Sequence, residues 1–358
     1  MGIINIYDKS LYYIGGFVRD SILGAKSFDI DIVYVGNAIE YCKKFGNVIQ
    51  ENPDFGTIRV DVCGQIVDFA STRSEEYFKK GHLPTVTKIG CSLKEDVLRR
   101  DFTINALAKN TETGKIIDYV GGQNDIKNKL IRVLHNESFI DDPTRIIRAL
   151  KFRVRFGFDL EVNTKILQEK YLANINYDMS YKRVKKELME TFNLNSQKAF
   201  EIFVSEGIYK LVSPEKFSLP KTNIEELINK YPVVEPWLVY VGLLPNLSNI
   251  ELTKREKKII DDYKSLGEYK TDFEIYKAFS SLEKESILLY AVMKNKQIAE
   301  KYLNELSNIK LEITGEDLLN MGIEPSPKYQ NIFDSVLMAK LYNPQMTKED
   351  ELKIVINL

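Results

Sequence analysis

The chain has 358 residues, 44% of them hydrophobic, which is enough for a buried core and for two or three domains; its formal net charge of −1 excludes a generally basic nucleic-acid coat. Its two histidines, His82 and His135, and three scattered cysteines, Cys42, Cys63 and Cys91, argue against a His-based zinc centre, a His-dependent triad and a disulfide-stapled secreted domain. The opening MGIINIYDKS lacks a basic region followed by an apolar one, and no stretch approaches the roughly 18 apolar residues of a membrane span, so a soluble cytoplasmic protein with no membrane partner is expected.

In chain order, Leu11 to Ile14 reads as a strand, Val18 to Leu23 as a helix closed by Gly24, and Phe28 to Val35 as a second strand. Thr57 to Val62 and Gln65 to Ala70 read as a hairpin turning near Cys63-Gly64. From Asp142 onward helical spacing dominates, as in Ile146, Ile147, Leu150 and again in Val184, Leu188, Phe192, with polar turns at 193–196 and 324–327. There is no internal repeat and no low-complexity tract. The expected architecture is an α/β head over residues 1–135, with a small mixed sheet and helices. A helical neck over 136–200 and an all-helical body and tail over 201–358 follow.

Two short segments carry chemistry. In Tyr13-Ile14-Gly15-Gly16-Phe17-Val18-Arg19-Asp20 a strand ends in two glycines and a helix starts at once. Glycines allow close approach of backbone to an anion, and a helix N-terminus offers unpaired N–H groups to a phosphate; an ordinary tight turn is the plainer alternative. In Phe28-Asp29-Ile30-Asp31-Ile32-Val33, strand alternation sends Phe28, Ile30 and Ile32 to the core and Asp29 and Asp31 to the opposite face. Cα atoms two apart on a strand are roughly 6.5–7 Å apart, so the two carboxylates can converge on shared cations, with Mg2+ expected as cofactor. Solvated aspartates on an amphipathic edge strand are the alternative. Asp68 is a candidate third metal ligand on a neighbouring strand, or an exposed strand residue.

Together these segments resemble the polymerase-β-like nucleotidyltransferases, and the wording GGxVRD…LG…DxD is similar to that of class II tRNA nucleotidyltransferases (CCA-adding enzymes) and bacterial poly(A) polymerases. The resemblance continues through Leu98-Arg99-Arg100-Asp101-Phe102-Thr103-Ile104-Asn105-Ala106, like that family's RRDFTxNA element, which contacts ribose and triphosphate. Ile117-Asp118-Tyr119-Val120-Gly121-Gly122 lies where the family has its hinge, with Tyr119 in place of the usual proline. Asp141-Asp142-Pro143-Thr144-Arg145-Ile146-Ile147-Arg148-Ala149 resembles the nucleotide-selecting element, and Lys182 to Leu188 the RxxxEL helix after it. Ile313 to Leu319 with Gly322 resembles the tail domain more loosely. The resemblance implies a polymerase-β-like head with Asp29 and Asp31 as catalytic residues and metal ligands. It implies nucleotide contacts from Gly15, Gly16, Arg19, Arg100, Asp101, Asn105, Asp141, Asp142, Arg145 and Arg148. It further implies tRNA, CTP and ATP as partners, and addition of CCA to the tRNA 3′ end.

Base choice without a template follows from residues 141–145. Pro143 suits the first helical position and Asp142 the N-cap before it. Asp142 and Arg145, three residues apart, can address one planar ligand. Cytosine and adenine both present an amino donor beside a ring-nitrogen acceptor, which a carboxylate beside a guanidinium satisfies; guanine and uracil present the reverse and leave groups unpaired. Asp141 is one methylene shorter than the glutamate usual in the family. A capped helix with solvated Asp–Arg pairs is the alternative reading. Between Arg145 and Lys186 there are eleven Lys/Arg against four Asp/Glu. This local basic patch offers Lys151, Arg153, Lys182, Arg183 and Lys186 as RNA-binding candidates. The tail aromatics read as core. The loop from Thr72 to Leu98 looks full length, which argues against a purely CC-adding enzyme and leaves an A-adding enzyme or a poly(A) polymerase as alternatives. A catalytically silent RNA-binding protein is disfavoured by intact Asp29, Asp31, Arg100 and Asp101.

Overall fold

A computed structural model describes residues 6–26 and 29–358; Phe28, expected to point into the core, lies outside them. The chain divides into two compact units, one of residues 1–191 with 198–216 and 248–250, the other of 192–197, 217–247 and 251–358.

The first unit is built on a seven-stranded sheet. In chain order its elements begin β1 (Leu11–Ile14), α1 (Gly16–Leu23), β2 (Asp31–Tyr34), α2 (Ala38–Cys42), β3 (Asn47–Asn52), β4 (Thr57–Val62) and β5 (Gln65–Ser71). They continue with β6 (Arg73–Glu76), β7 (Thr85–Ile89), α3 (Leu93–Leu98), β8 (Leu107–Asn110) and β9 (Ile116–Asp118). The sheet order is β3-β4-β5-β2-β1-β8-β9, antiparallel throughout except where β2 meets β5. The small mixed sheet with helices is therefore as expected. The hairpin also turns as read: Cys63 (φ 53°) and Gly64 (φ 83°) are both left-handed, the geometry of a two-residue type I′ turn. Gly24 ends α1 in the left-handed conformation.

Alternation decides what each sheet face does. Ile32, Ile58, Val60, Val67 and Phe69 are buried on one face against Ala38 and Cys42 of α2. On the other, Ile14 and Val33 pack against Leu93 and Val97 of α3. Asp31, Asp68 and Arg59 belong to this second face, beyond the cover of α3. The second strand is shorter than the sequence reading, starting at Asp31, although the Ile30 carbonyl still accepts from the Asp68 N–H at 3.0 Å. The segment 72–98 is not an open loop: β6 and β7 form a hairpin and α3 opens with a capping box between Ser92 and Glu95.

The head closes with α4 (Gly122–Lys127) and β10 (Leu130–Ile131), and the neck follows as α5 (Ser138–Asp141), α6 (Thr144–Phe156), β11 (Asp159–Leu160), α7 (Val162–Ala173) and α8 (Tyr181–Phe192). One departure from an all-helical reading after Asp142 is a short parallel pairing of β10 with β11. Two residues per strand are too few for period-2 alternation to register in the sequence. The second unit is helical, as expected, from Ile224–Lys230 to Lys348–Ile356, and Trp237, Tyr240, Phe279 and Tyr290 are buried in it. Capping boxes at Thr253/Glu256, Thr271/Glu274, Thr314/Asp317 and Thr347/Asp350 start four of its helices. No helix among the described residues is long and apolar enough to cross a membrane.

The last strand of the sheet ends on Asp118, whose carboxylate accepts from the backbone N–H groups of Val120, Gly121, Gly122 and Gln123 at 2.8–3.1 Å. The first turn of α4 is thereby satisfied by one side chain, which holds that carboxyl below its ordinary range against the opposing effect of burial. Gly122 is required by space, since a Cβ there would lie 2.2 Å from the Thr103 carbonyl oxygen. Asp118→Ala leaves these donors to water and is expected to cost about 2 kcal/mol in urea unfolding followed by circular dichroism; a loss under about 0.5 kcal/mol would show that the turn holds without it.

Candidate active site

Strand pairing assembles the carboxylates. The β2–β5 register sets Asp31 directly beside Asp68, neighbouring strands being roughly 4.8 Å apart, and Asp29 lies two residues before Asp31. Asp31 opens onto a cavity of about 400 Å³ lined also by Ile14, Thr57, Asp68, Arg73, Arg99 and Arg100. Its carboxyl is raised above the ordinary range, chiefly because the surrounding protein desolvates it; Arg100 opposes this, and Asp68 and Asp29 add to it. Like charges this close call for a cation. Among the described residues, no three His, Cys, Asp or Glu side chains are grouped to hold a metal ion on their own. Mg2+ is commonly bound through one or two carboxylates together with substrate phosphates and water, and Asp31, Asp68 and the adjacent Asp29 supply that kind of hard oxygen set. The donors fit an ion that arrives with a polyphosphate.

The opposite wall is cationic. Arg99 and Arg100 leave the end of α3, where buried Asp96 pairs with both at 2.7 and 3.1 Å; Glu75 pairs with Arg73 and Arg99 at 2.7 and 2.9 Å. Gly15, at φ +63°, keeps the β1–α1 turn bare enough for Arg100 to lie over it: a Cβ on Gly15 would sit 3.1 Å from Arg100 Nη1. The Nε of Arg100 is buried with no hydrogen-bond partner. Three guanidiniums facing two carboxylates suit a cation-borne polyanion. Arg73 and Arg99 were not singled out as cavity residues by the sequence reading, although the double arginine at 99–100 was a visible signal for Arg99.

Arg19 does not face this cavity. It is buried, stacked over Phe152 and Phe156 at 5.0 and 4.5 Å, and donates to Asp20 and to Asn105. Asn105 in turn donates to Asp101 at 3.0 Å, and Arg148 clamps the same carboxylate through Nε and Nη2 at 2.9 and 2.7 Å. Arg148 Nη1 reaches Glu187 at 2.9 Å, and Lys151 completes the chain on Glu187 at 2.9 Å. A continuous ionic brace therefore runs from α1 through the 100–105 segment to α6 and α8. Burial alone would raise the Asp101 carboxyl, but Arg148 and Asn105 pull it down to about 2. Burial lowers Arg148, yet Asp101 and Glu187 outweigh it and raise the guanidinium.

The nucleotide-selecting candidates sit at the start of α6. Pro143 already has helical dihedrals and Asp142 is extended, accepting from the Thr144 N–H at 3.1 Å, so Asp142 is the cap in fact. Asp142 and Arg145 are buried, with Arg145 Nε 4.0 Å from Asp142 Oδ2. Arg145 donates to Ser138 Oγ at 2.6 Å and to the Tyr77 hydroxyl at 3.1 Å, while Arg183 holds Asp142 Oδ2. Asp141 turns away, to Lys80 and to His135 at 3.8 Å. The 77–82 segment is anchored here too, with Gly81 N–H on the Asp141 carbonyl and Ser180 N–H on the Gly81 carbonyl, both 2.9 Å.

The RNA-binding candidates divide. Lys182 and Lys186 are exposed on α8; Arg183 is drawn to Asp142, Lys151 to Glu187, and Arg153 to Glu206 in a two-point pair at 2.8 and 2.9 Å. The structure does not bring these five side chains to one open face.

Residues 11–132 match the poly A polymerase head domain. The chain is 31% identical to an A-adding tRNA nucleotidyltransferase of Geobacter sulfurreducens over 97% of its own length and 45% of that protein. It is 32% identical to one of Aquifex aeolicus over 84% of its own length and 41% of that protein. It thus spans less than half the length of these two curated relatives. A CCA-adding enzyme of Bacillus velezensis is 27% identical over 93% of this chain and 91% of its own. Among solved structures, an apo CCA-adding enzyme superposes with a TM-score of 0.82 at 28% identity, covering 97% of this chain and 91% of that one. The chain is therefore similar along nearly its whole length to class II tRNA nucleotidyltransferases, and residues 11–132 carry a poly A polymerase head domain. Its head is of polymerase-β-like type, followed in the chain by a helical body. The Thermotoga maritima CCA-adding enzyme, solved with tRNA, superposes at 0.76 and 27% identity over 97% and 91% of the two chains, and further CCA-adding enzymes were solved with CTP and with ATP.

The brace is also a source of pH dependence. A carboxyl depressed from 3.8 to about 2 contributes stability that is fully present above pH 4 and is lost as pH falls through 2. Between pH 4 and pH 2 the wild-type chain is expected to lose on the order of 2 kcal/mol more stability than Asp101→Asn, measured by urea unfolding. Parallel pH curves for the two proteins would contradict this.

Proposed function

We propose that this chain is a template-independent tRNA nucleotidyltransferase that adds C and A, taken from CTP and ATP, to the tRNA 3′ end. The reaction is attack of the terminal 3′ hydroxyl on the NTP α-phosphorus, in line with the departing pyrophosphate. The observation that carries this reading is the paired Asp31 and Asp68, with Asp29 beside them, facing three arginines across one cavity. Asp29 and Asp31, with Asp68, would hold the divalent cations, which supply activation of the hydroxyl and charge neutralisation at the triphosphate. Arg100, over the Gly15 turn, is aimed at the triphosphate, with Gly16 keeping the start of α1 open to it. Asp101, Asn105, Arg19 and Arg148 act one step back, fixing the segment that carries Arg100. In the neck, Asp142 and Arg145 read the base; Ser138, Tyr77 and Arg183 hold their side chains, and Asp141 holds Lys80 of the adjoining segment. Exposed Lys182 and Lys186 would meet tRNA phosphates.

A second reading within the family, addition of A alone, is favoured by the names of the Geobacter sulfurreducens and Aquifex aeolicus relatives. Both readings use the same acceptor–donor pair, because cytosine and adenine present the same edge pattern.

Two outcomes test the proposal. Asp31→Ala is expected to abolish incorporation of labelled nucleotide, while tRNA binding by filter retention stays within about twofold; near-normal turnover would sink the carboxylate mechanism. Arg145→Ala removes a charged donor, which costs roughly 1.5–3 kcal/mol or about ten- to hundredfold in kcat/KM for accepted nucleotides. Discrimination against UTP and GTP should fall with it. Wild-type rate and discrimination in Arg145→Ala would mean the base is read elsewhere.

A further inference from the structure

The carboxylate row already has a resident cation. Arg59 grips Asp68 with two parallel bonds, Nε to Oδ1 at 2.7 Å and Nη2 to Oδ2 at 2.9 Å. The arrangement follows from the turn at Cys63-Gly64, which fixes the β4–β5 register so that residue 59 faces residue 68, while the β2–β5 register sets residue 68 beside residue 31. Arg59, Asp68 and Asp31 therefore stand side by side on three adjacent strands and on one face. Both Asp68 oxygens are engaged by a fork that matches carboxylate geometry. A guanidinium cannot leave by giving up its proton, so the pair opens to water or to a competing cation rather than by deprotonation of Arg59. The pair is open enough for that exchange: the two side chains are 47% and 38% exposed, and exposed ion pairs are weak. Asp68 also lines a second cavity, of about 200 Å³, with Arg59, Gln50, Asn52 and Thr57, whose polar groups offer the displaced guanidinium somewhere to go.

We infer that Arg59 is a positioning residue that competes with a divalent cation for Asp68. It neutralises the carboxylate row in the nucleotide-free protein and swings towards Gln50 and Asn52 when the cation binds. The inference rests on the reading of Asp31 and Asp68 as metal-holding residues. It explains why the described residues group no three ligands for a metal: the third carboxylate is turned to an arginine.

The test is Mn2+ binding to the full chain without nucleotide or RNA, read as loss of the free-ion electron paramagnetic resonance signal. Arg59→Gln is expected to bind Mn2+ about tenfold more tightly than wild type, the scale for removing one positive charge from beside a divalent ion at a partly exposed site. Arg59→Lys keeps the charge and should stay near wild type. In an Asp68→Asn background, Arg59→Gln should lose most of its effect. Unchanged or weaker binding in Arg59→Gln, with Asp68→Asn still weakening Mn2+, overturns the competition and leaves Asp68 as a ligand. Binding indifferent to both Asp31→Ala and Asp68→Asn sinks the metal-holding reading and the inference with it.

Discussion

The arrangement of this site depends on one partly buried cation shared between two anions. Arg148, on the neck helix, holds Asp101 of the head with two bonds and Glu187 of the following helix with a third. A buried ion pair is not in itself a strong source of stability, because desolvating the charges offsets most of their attraction. Its effect is geometric. The side chains at Arg145 and Arg148 are one helical turn apart, so clamping Arg148 to the segment Arg100-Asp101 fixes the distance between the nucleotide-selecting pair and the arginine wall of the cavity. The proposed choice of a base without a template needs that distance fixed, since an error of about 1 Å in placing a reacting group can cost on the order of a hundredfold in rate.

Beside this rigid brace lie contacts that exchange more readily. Arg59 on Asp68, Lys79 and His82 on Asp178, and Lys80 on Asp141 all involve at least one substantially exposed partner. Water screens such pairs and they contribute little to stability. The division suits the proposed function, in which a charged nucleotide and an RNA end must be admitted: the carboxylates of the brace, Asp101 and Glu187, are largely covered, while each yielding pair has an exposed partner.

Much of this was legible in the sequence. Two glycines after an apolar run and a turn at 63–64 are local patterns and formed where they were read, while the DxD strand formed only from Asp31 onward, with Asp29 just before it. The double arginine followed by Asp101 marked the second wall. What was not legible depends on partners far apart in the chain. Glu187 is 39 residues from Arg148, and Tyr77 is 68 from Arg145; neither pairing has a spacing rule. Lys151 and Arg153 looked like part of an RNA-facing patch because net charge counts side chains without their partners, and Glu187 and Glu206 take both inside. The Arg59–Asp68 pair is an intermediate case. A two-residue turn at Cys63-Gly64 fixes that register, so the pairing could have been deduced from the turn alone.

The claim that the protein itself serves as the template is tested most directly on the wild-type chain. A tRNA ending at the discriminator base, and the same tRNA ending in CC, are each offered CTP, ATP, UTP, GTP, and CTP with ATP, in the presence of Mg2+. Product length is read at single-nucleotide resolution. The account predicts extension of the CC-ended tRNA by one A and no extension with UTP or GTP. Three additions to the shorter tRNA with CTP and ATP mark CCA addition; their absence marks the A-only reading. Extension by UTP or GTP at rates comparable to ATP, or no extension of either tRNA, would contradict it.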